Sequence, residues 1–203
     1  MKSQLPSERR TLLWMAFWVQ GGLLLATGLV AWWFAVDWRS LLLWTPLALA
    51  VGLIAVIPMR WAMSYAVELQ DILVEVLGPS LIACRTGDLL LISALAGIGE
   101  EFAFRGVLPT LAERFVGYWT ACVAVNLLFG ALHFVSWEYF LYAMTAGFYF
   151  SWLTDGFGPR NLLAAMITHT VYDFVALRTI RANAIEHHRT EGDSLSAVEQ
   201  EDA

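Results

Sequence analysis

From Leu12 to Val36 the chain carries no charged side chain. A helix rises about 1.5 Å per residue, so a run of this length more than covers a hydrocarbon core roughly 30 Å thick. Further apolar runs follow at 41–59, 89–108, 118–135, 139–154 and 162–177. A backbone facing lipid must satisfy its own hydrogen bonds, which predicts helices and excludes open strands. The expected fold is therefore all-α, a polytopic transmembrane helix bundle of about six spans. Between the second and third runs, Glu68, Asp71 and Glu75 interrupt an apolar pattern, which predicts an interfacial amphipathic helix over 60–85.

Composition agrees. Hydrophobic residues make up 59% of the 203 and charged residues only 15%, with a mean hydropathy of +0.61. A soluble domain carries about 25% charged residues. The net charge of −6 comes largely from Glu186, Glu191, Asp193, Glu199, Glu201 and Asp202, and no basic surface for nucleic acid stands out. Residues 1–178 are expected as one membrane domain and 179–203 as a polar, disordered tail. The first run is too long for a signal h-region and follows Lys2, Arg9 and Arg10, so it reads as an uncleaved span with a cytoplasmic N-terminus. An even number of spans returns the C-terminus to the same side. Trp32, Trp33, Trp38 and Trp44 sit where interfacial anchors belong. Cys84 and Cys122 lie in separate segments without metal-ligand spacing and read as incidental thiols.

Six ionisable residues lie inside or at the ends of these runs: Glu100, Glu101, Arg105, His133, His169 and Asp173. A charge at mid-membrane costs about 2–3 kcal/mol or more, so six of them call for a reason. Glu101 and Arg105 are spaced i, i+4 in the favourable acid-first order and read as an ion pair. Glu100 is turned about 100° from Glu101 around the axis and shares a face with Gly97 and Ser93. In the next run Asn126, Phe129, Gly130 and His133 share one face; in the last, Ala165, His169 and Asp173 do. Three helices each present one polar stripe. The economical arrangement points all three at one water-filled pocket, whose carboxylates and imidazoles would activate water and stabilise an oxyanion. His187 and His188 fall in the polar tail and read as solvated.

The motifs GEEFAFRG, FGALH and HTVYD, in that order on successive apolar segments, resemble the CAAX prenyl protease 2 (Rce1-like) and bacteriocin-processing family, also called CPBP or Abi. The resemblance covers residues 88 to 178 and implies an intramembrane endopeptidase. By carry-over, Glu100 is the general base, His133 holds and polarises the attacking water, and His169 donates to the oxyanion. Asp173 stands where the family pattern often has Asn. An ionised carboxylate cannot donate as an amide does. It would instead accept from His169, fixing its tautomer and favouring its protonated form, or else be protonated and donate directly. The implied catalytic set is thus Glu100, His133, His169 and Asp173, supported by Glu101, Arg105, Asn126 and Phe129. The expected partners are the lipid bilayer and a peptide or protein substrate within or at the membrane.

No cofactor is expected. The family is often labelled as metalloproteases, and the alternative is zinc held by Glu100, His133 and His169 with an open fourth position. That set leaves no obvious general base, and the H-E-x-x-H pattern is absent. Rival readings are a proton-coupled small transporter, which would be expected to show duplicated halves, and a non-catalytic immunity scaffold, which would not need Glu100 and His133. The compact size suggests a prokaryotic protein of the inner (plasma) membrane.

Overall fold

The computed structural model describes residues 5–37, 41–42 and 45–201, with side-chain environments given for 8–190. Trp38 and Trp44 lie outside the described residues. Among those residues every regular element is a helix and there is no strand. The helices are α1 Leu5–Trp33, α2 Pro46–Ile54, α3 Val56–Tyr65, α4 Val67–Ile82, α5 Thr86–Glu101, α6 Leu108–Val116, α7 Tyr118–Leu132, α8 Trp137–Asp155 and α9 Leu163–Glu201; a π-helical segment, Phe102–Val107, joins α5 to α6.

Local chemistry sets the boundaries. Thr45 caps α2 by accepting from the Ala48 N–H at 3.0 Å, with Pro46 in the first turn, where its missing N–H costs nothing. Ser136 caps α8 by accepting from the Tyr139 N–H at 3.2 Å. Gly117, at φ 77°, ends α6 and admits the turn into α7. The sequence places a break at Pro109, yet the path runs on as helix from Thr86 to Val116. Pro109 cannot donate a hydrogen bond back to the preceding turn, and the π-helical segment immediately before it absorbs the change of pitch.

Two stretches, Glu8–Trp33 and Pro46–Tyr65, are long and apolar enough to cross a bilayer. The other expected spans do not meet that test by length and composition among the described residues, so the count of six is not established. Large apolar side chains on the outside of the bundle, including Trp14, Trp18, Leu25 and Trp119, fit a lipid-facing surface. Helix α4 turns Leu69, Leu73 and Leu81 into the core and leaves Glu68, Asp71 and Glu75 exposed, the amphipathic pattern expected of it. The backbone of α9 continues as helix past Leu177 to Glu201, through the segment read as a disordered tail.

Helix α9 is the central post, packed against α2, α3, α4, α5 and α8. Its approach to α5 is close. A Cβ on Gly97 would fall 2.3 Å from Thr170 Oγ1 and 2.8 Å from the Thr170 nitrogen. Helix α1 runs parallel to the α5–α6 path, bonded to it at constant register. Arg9 meets Asp88, Gln20 meets Glu100, and Arg114 reaches the Phe34 carbonyl, at sequence offsets of 79, 80 and 80. The Arg9 guanidinium, at 2.6 and 2.7 Å, holds the Asp88 carboxyl below the usual carboxylate range, and the Arg85 N–H adds to this.

Candidate active site

The three polar stripes meet. Glu100, His133, His169 and Asp173 line one cavity of about 90 Å³, walled by Phe129, Phe150 and the tyrosines Tyr139, Tyr142 and Tyr172. Helix α5 delivers Glu100 at its last turn, α7 delivers His133 at its C-terminal cap, and α9 delivers His169 and Asp173 one turn apart. Glu100 is 7% exposed and His169 6%, so both stand inside the bundle.

The carboxylate of Glu100 is divided. Its Oε1 accepts from the Gln20 amide at 2.6 Å. Its Oε2 is buried without a hydrogen-bond partner and faces His133 Nε2 at 3.6 Å and His169 Nε2 at 3.9 Å. His133 Nδ1 lies 2.8 Å from the Phe129 carbonyl, which can only accept, so that nitrogen carries hydrogen and Nε2 of the neutral ring is an acceptor turned to the cavity. His169 Nδ1 lies 2.8 Å from Glu101 Oε1 and its Nε2 lies 3.3 Å from Asp173 Oδ2, while its ring stacks on Phe150 at 4.8 Å. One imidazole is thus held by carboxylates at both nitrogens and by an aromatic face.

Glu101 has a larger part than the ion pair expected of it. Arg105 is its partner at 3.3 Å, but the shorter bond goes to His169. Arg105 is fully enclosed, its guanidinium 4.1 Å from the Phe129 ring and 5.2 Å from that of Phe150, so cation–π contacts replace part of its lost hydration. Asn126 does not join the cavity. Seven residues separate it from His133, which keeps the face but displaces it about 10 Å along the axis. Its amide donates to the Cys122 carbonyl at 2.9 Å and to Ser151 Oγ at 3.0 Å, and its Oδ1 and Arg105 Nη2 both border Gly147. His187 and His188 are exposed on α9 and do not line the cavity.

Sequence reasoning missed Gln20 and the three tyrosines. The signal for Gln20 was present: it is the one amide between Arg10 and Asp37. The tyrosines gave none, because aromatic residues are common on every face of these helices.

Zinc binds histidine and carboxylate donors at about 2.0–2.2 Å, drawing them around a single point. Two donors on one tetrahedral zinc would stand about 3.4 Å apart; Glu100 Oε2 lies 3.6 and 3.9 Å from the two imidazole Nε2 atoms, and His169 Nε2 is turned to Asp173. Among the described residues no group of three or more histidine, cysteine or acidic side chains is arranged to hold a metal ion.

No curated protein and no solved structure matches the chain. A family model does, over residues 84–175, the stretch that supplies every acid and histidine of the cavity. Through that stretch the chain matches the Rce1-like family, described as type II CAAX prenyl endopeptidase Rce1-like, and it is to this family that the three motifs relate it.

Proposed function

We propose that the chain hydrolyses peptide bonds inside the membrane with a water activated by Glu100, without a metal. One observation supports this most: Glu100 Oε2 is buried, lacks a hydrogen-bond partner and faces two imidazole nitrogens at 3.6 and 3.9 Å across a cavity. Those separations are too long for direct hydrogen bonds and suit a bridging water. At roughly 30 Å³ per water, a cavity of about 90 Å³ has room for a few.

In this reading Glu100 Oε2 and His133 Nε2 each accept a hydrogen from one water, which turns an oxygen lone pair toward the scissile carbonyl. As that oxygen attacks the carbonyl carbon, Glu100 takes the proton and the C=O electron pair moves onto oxygen. His169 Nε2–H, until then directed at Asp173, donates to the oxyanion. Collapse of the tetrahedral intermediate breaks the C–N bond, and the proton on Glu100 passes to the leaving nitrogen. The products are a carboxylic acid, which then loses its remaining water-derived proton to solvent, and an amine, and Glu100 is regenerated. Glu101 and Asp173 act through His169 as positioning residues. The family's description makes a prenylated C-terminal peptide the first substrate class to try; nothing in the cavity lining selects for a prenyl group.

The test is cleavage of a mixed peptide library, with prenylated members, by detergent-purified protein. Glu100→Gln and His133→Ala are expected to lose roughly 10³-fold in rate, within the range of general acid–base catalysis. A zinc chelator is expected to leave the wild-type rate unchanged. Full activity in Glu100→Gln would sink the mechanism, and chelator-sensitive cleavage would make Glu100, His133 and His169 metal ligands.

A further inference from the structure

We infer that Gln20, on the N-terminal helix outside the family-matched segment, is a positioning residue for this reaction: its amide holds Glu100 Oε1 so that Oε2 alone is left to accept the proton of water. The inference rests on the peptidase reading above and adds a residue from a helix that none of the three motifs includes.

The first argument is cost. Between Arg10 and Asp37 the chain is without charge and has a single amide. Helix α1 is mostly a lipid-facing helix, with Trp14, Phe17, Trp18, Leu24 and Leu25 exposed around it. An amide in such a helix loses hydration and regains it only through partners within the bundle. Gln20 regains half: Nε2 donates to Glu100 at 2.6 Å, while its Oε1 is buried without a partner. A leucine would satisfy the packing without leaving a buried carbonyl oxygen unpaired.

The second argument is geometry. The opposite amide orientation would set oxygen against carboxylate oxygen, so the contact fixes which end of Gln20 faces Glu100. It also fixes Glu100. A carboxylate tied at neither oxygen turns freely about its last torsion, which has a broad, roughly two-fold profile. Tied at Oε1, it presents Oε2 to the histidines in one orientation. The third argument is that α1 is registered for this contact. The Arg9–Asp88 pair lies at nearly the same offset along the parallel helices. Beside Glu100, a Cβ on Gly99 would come within 3.2 Å of Gln20 Oε1 and 3.4 Å of the Gln20 carbonyl oxygen. The absent side chain at Gly99 lets α1 approach closely enough for the amide to reach.

The experiment compares wild type with Gln20→Met, which keeps the length and apolar volume but has no donor, and with Gly99→Ala, which keeps the amide and displaces it. Steady-state kinetics on a cleaved peptide are read together with the infrared band of the Glu100 carboxylate, assigned by its loss in Glu100→Gln. For Gln20→Met the expectation is a fall in kcat of about tenfold to a hundredfold, the scale of one hydrogen bond to a charged group, with KM unchanged and the carboxylate band shifted. Gly99→Ala should move both readouts in the same direction by less. A Gln20→Met protein with wild-type kcat overturns the inference, as does a fall in kcat with the carboxylate band unmoved, since that would be a packing effect. If wild type cleaves no peptide, the peptidase reading fails; the infrared band then still shows whether Gln20 holds Glu100.

Discussion

Two polar clusters stand side by side in this bundle, one half-buried and one enclosed, and they treat their charges in opposite ways. Around Arg160 each bond-forming group has found a partner. The guanidinium donates to Asp155 at 2.8 and 3.1 Å, to Glu113 at 2.5 Å and to Thr110 at 2.9 Å, and Tyr118 closes the set on Asp155 at 3.0 Å. The space left among these residues is about 10 Å³. Around Glu100 the same kinds of group are held apart, with Oε2 unpaired and both histidines more than 3.5 Å away across a cavity of about 90 Å³. A cluster built for stability closes its hydrogen bonds; the Glu100 cluster leaves Glu100 Oε2 open toward a cavity where a reactant fits. Arg105 lies between them, bonded to Glu101 on the cavity side and bordering Gly147 with Asn126 on the other.

If that contrast is right, substitutions on the two sides must separate activity from stability. Glu100→Gln is expected to slow cleavage by roughly 10³-fold while leaving the melting temperature in detergent no lower than wild type, because it removes an under-bonded buried charge. Arg160→Met should do the reverse. Breaking a partly buried ion network is expected to cost about 2–3 kcal/mol, somewhat below the full cost for wholly buried pairs, with kcat per folded molecule unchanged. Thermal unfolding measured beside active-site titration decides it. An Arg160→Met protein of normal stability, or a Glu100→Gln protein that unfolds readily, would erase the distinction.

A third substitution should strike both properties at once. Gly97→Ala would place a methyl group 2.3 Å from Thr170 Oγ1 and 2.8 Å from its backbone nitrogen. Backbone cannot yield as a flexible side chain does, so α5 and α9 must part. Those helices carry Glu100 on one side and His169 with Asp173 on the other. Overpacking of this kind costs about 1–3 kcal/mol, and here the expected accompaniment is a lower kcat from a widened Glu100–His169 gap. Normal activity in a destabilised Gly97→Ala protein would mean that the site tolerates a separation the mechanism forbids.

How far these clusters could be read from the chain differs with the distance of their contacts. The convergence of Glu100, His133 and His169 was legible because each stands on a helical face whose other polar members repeat at three- and four-residue spacing. The Glu101–Arg105 pair was legible for the same reason. What the local pattern could not supply was the bond from Glu101 to His169, whose partners are 68 residues apart. The Arg160 network draws on α6 and the α8–α9 connection, and no single-helix periodicity announces it. Asn126 misled because a shared face says nothing of depth along the axis. Pro109 misled because a π-helical segment carries the helix past it. Gln20 was readable in principle, as an amide without local partners in an apolar run.

The smallest expected effect concerns Asp173, whose Oδ2 lies 3.3 Å from His169 Nε2. In the proposed mechanism an ionised Asp173 accepts from that nitrogen and keeps its hydrogen in place until an oxyanion appears. Asn in its place can still accept through its carbonyl oxygen, but without the charge, and rotation of the amide would set a donor against the imidazole. Asp173→Asn is therefore expected to lower kcat by about tenfold to a hundredfold, the range for a hydrogen bond to a charged group, with KM and stability little changed. Asp173 is half-buried beside a cavity rather than enclosed like Glu101, which argues for the lower end. Full activity in Asp173→Asn would show that Glu101, through Nδ1, suffices to orient His169. The under-bonded cluster would then extend to Glu100 and the two histidines alone, with Asp173 at its edge.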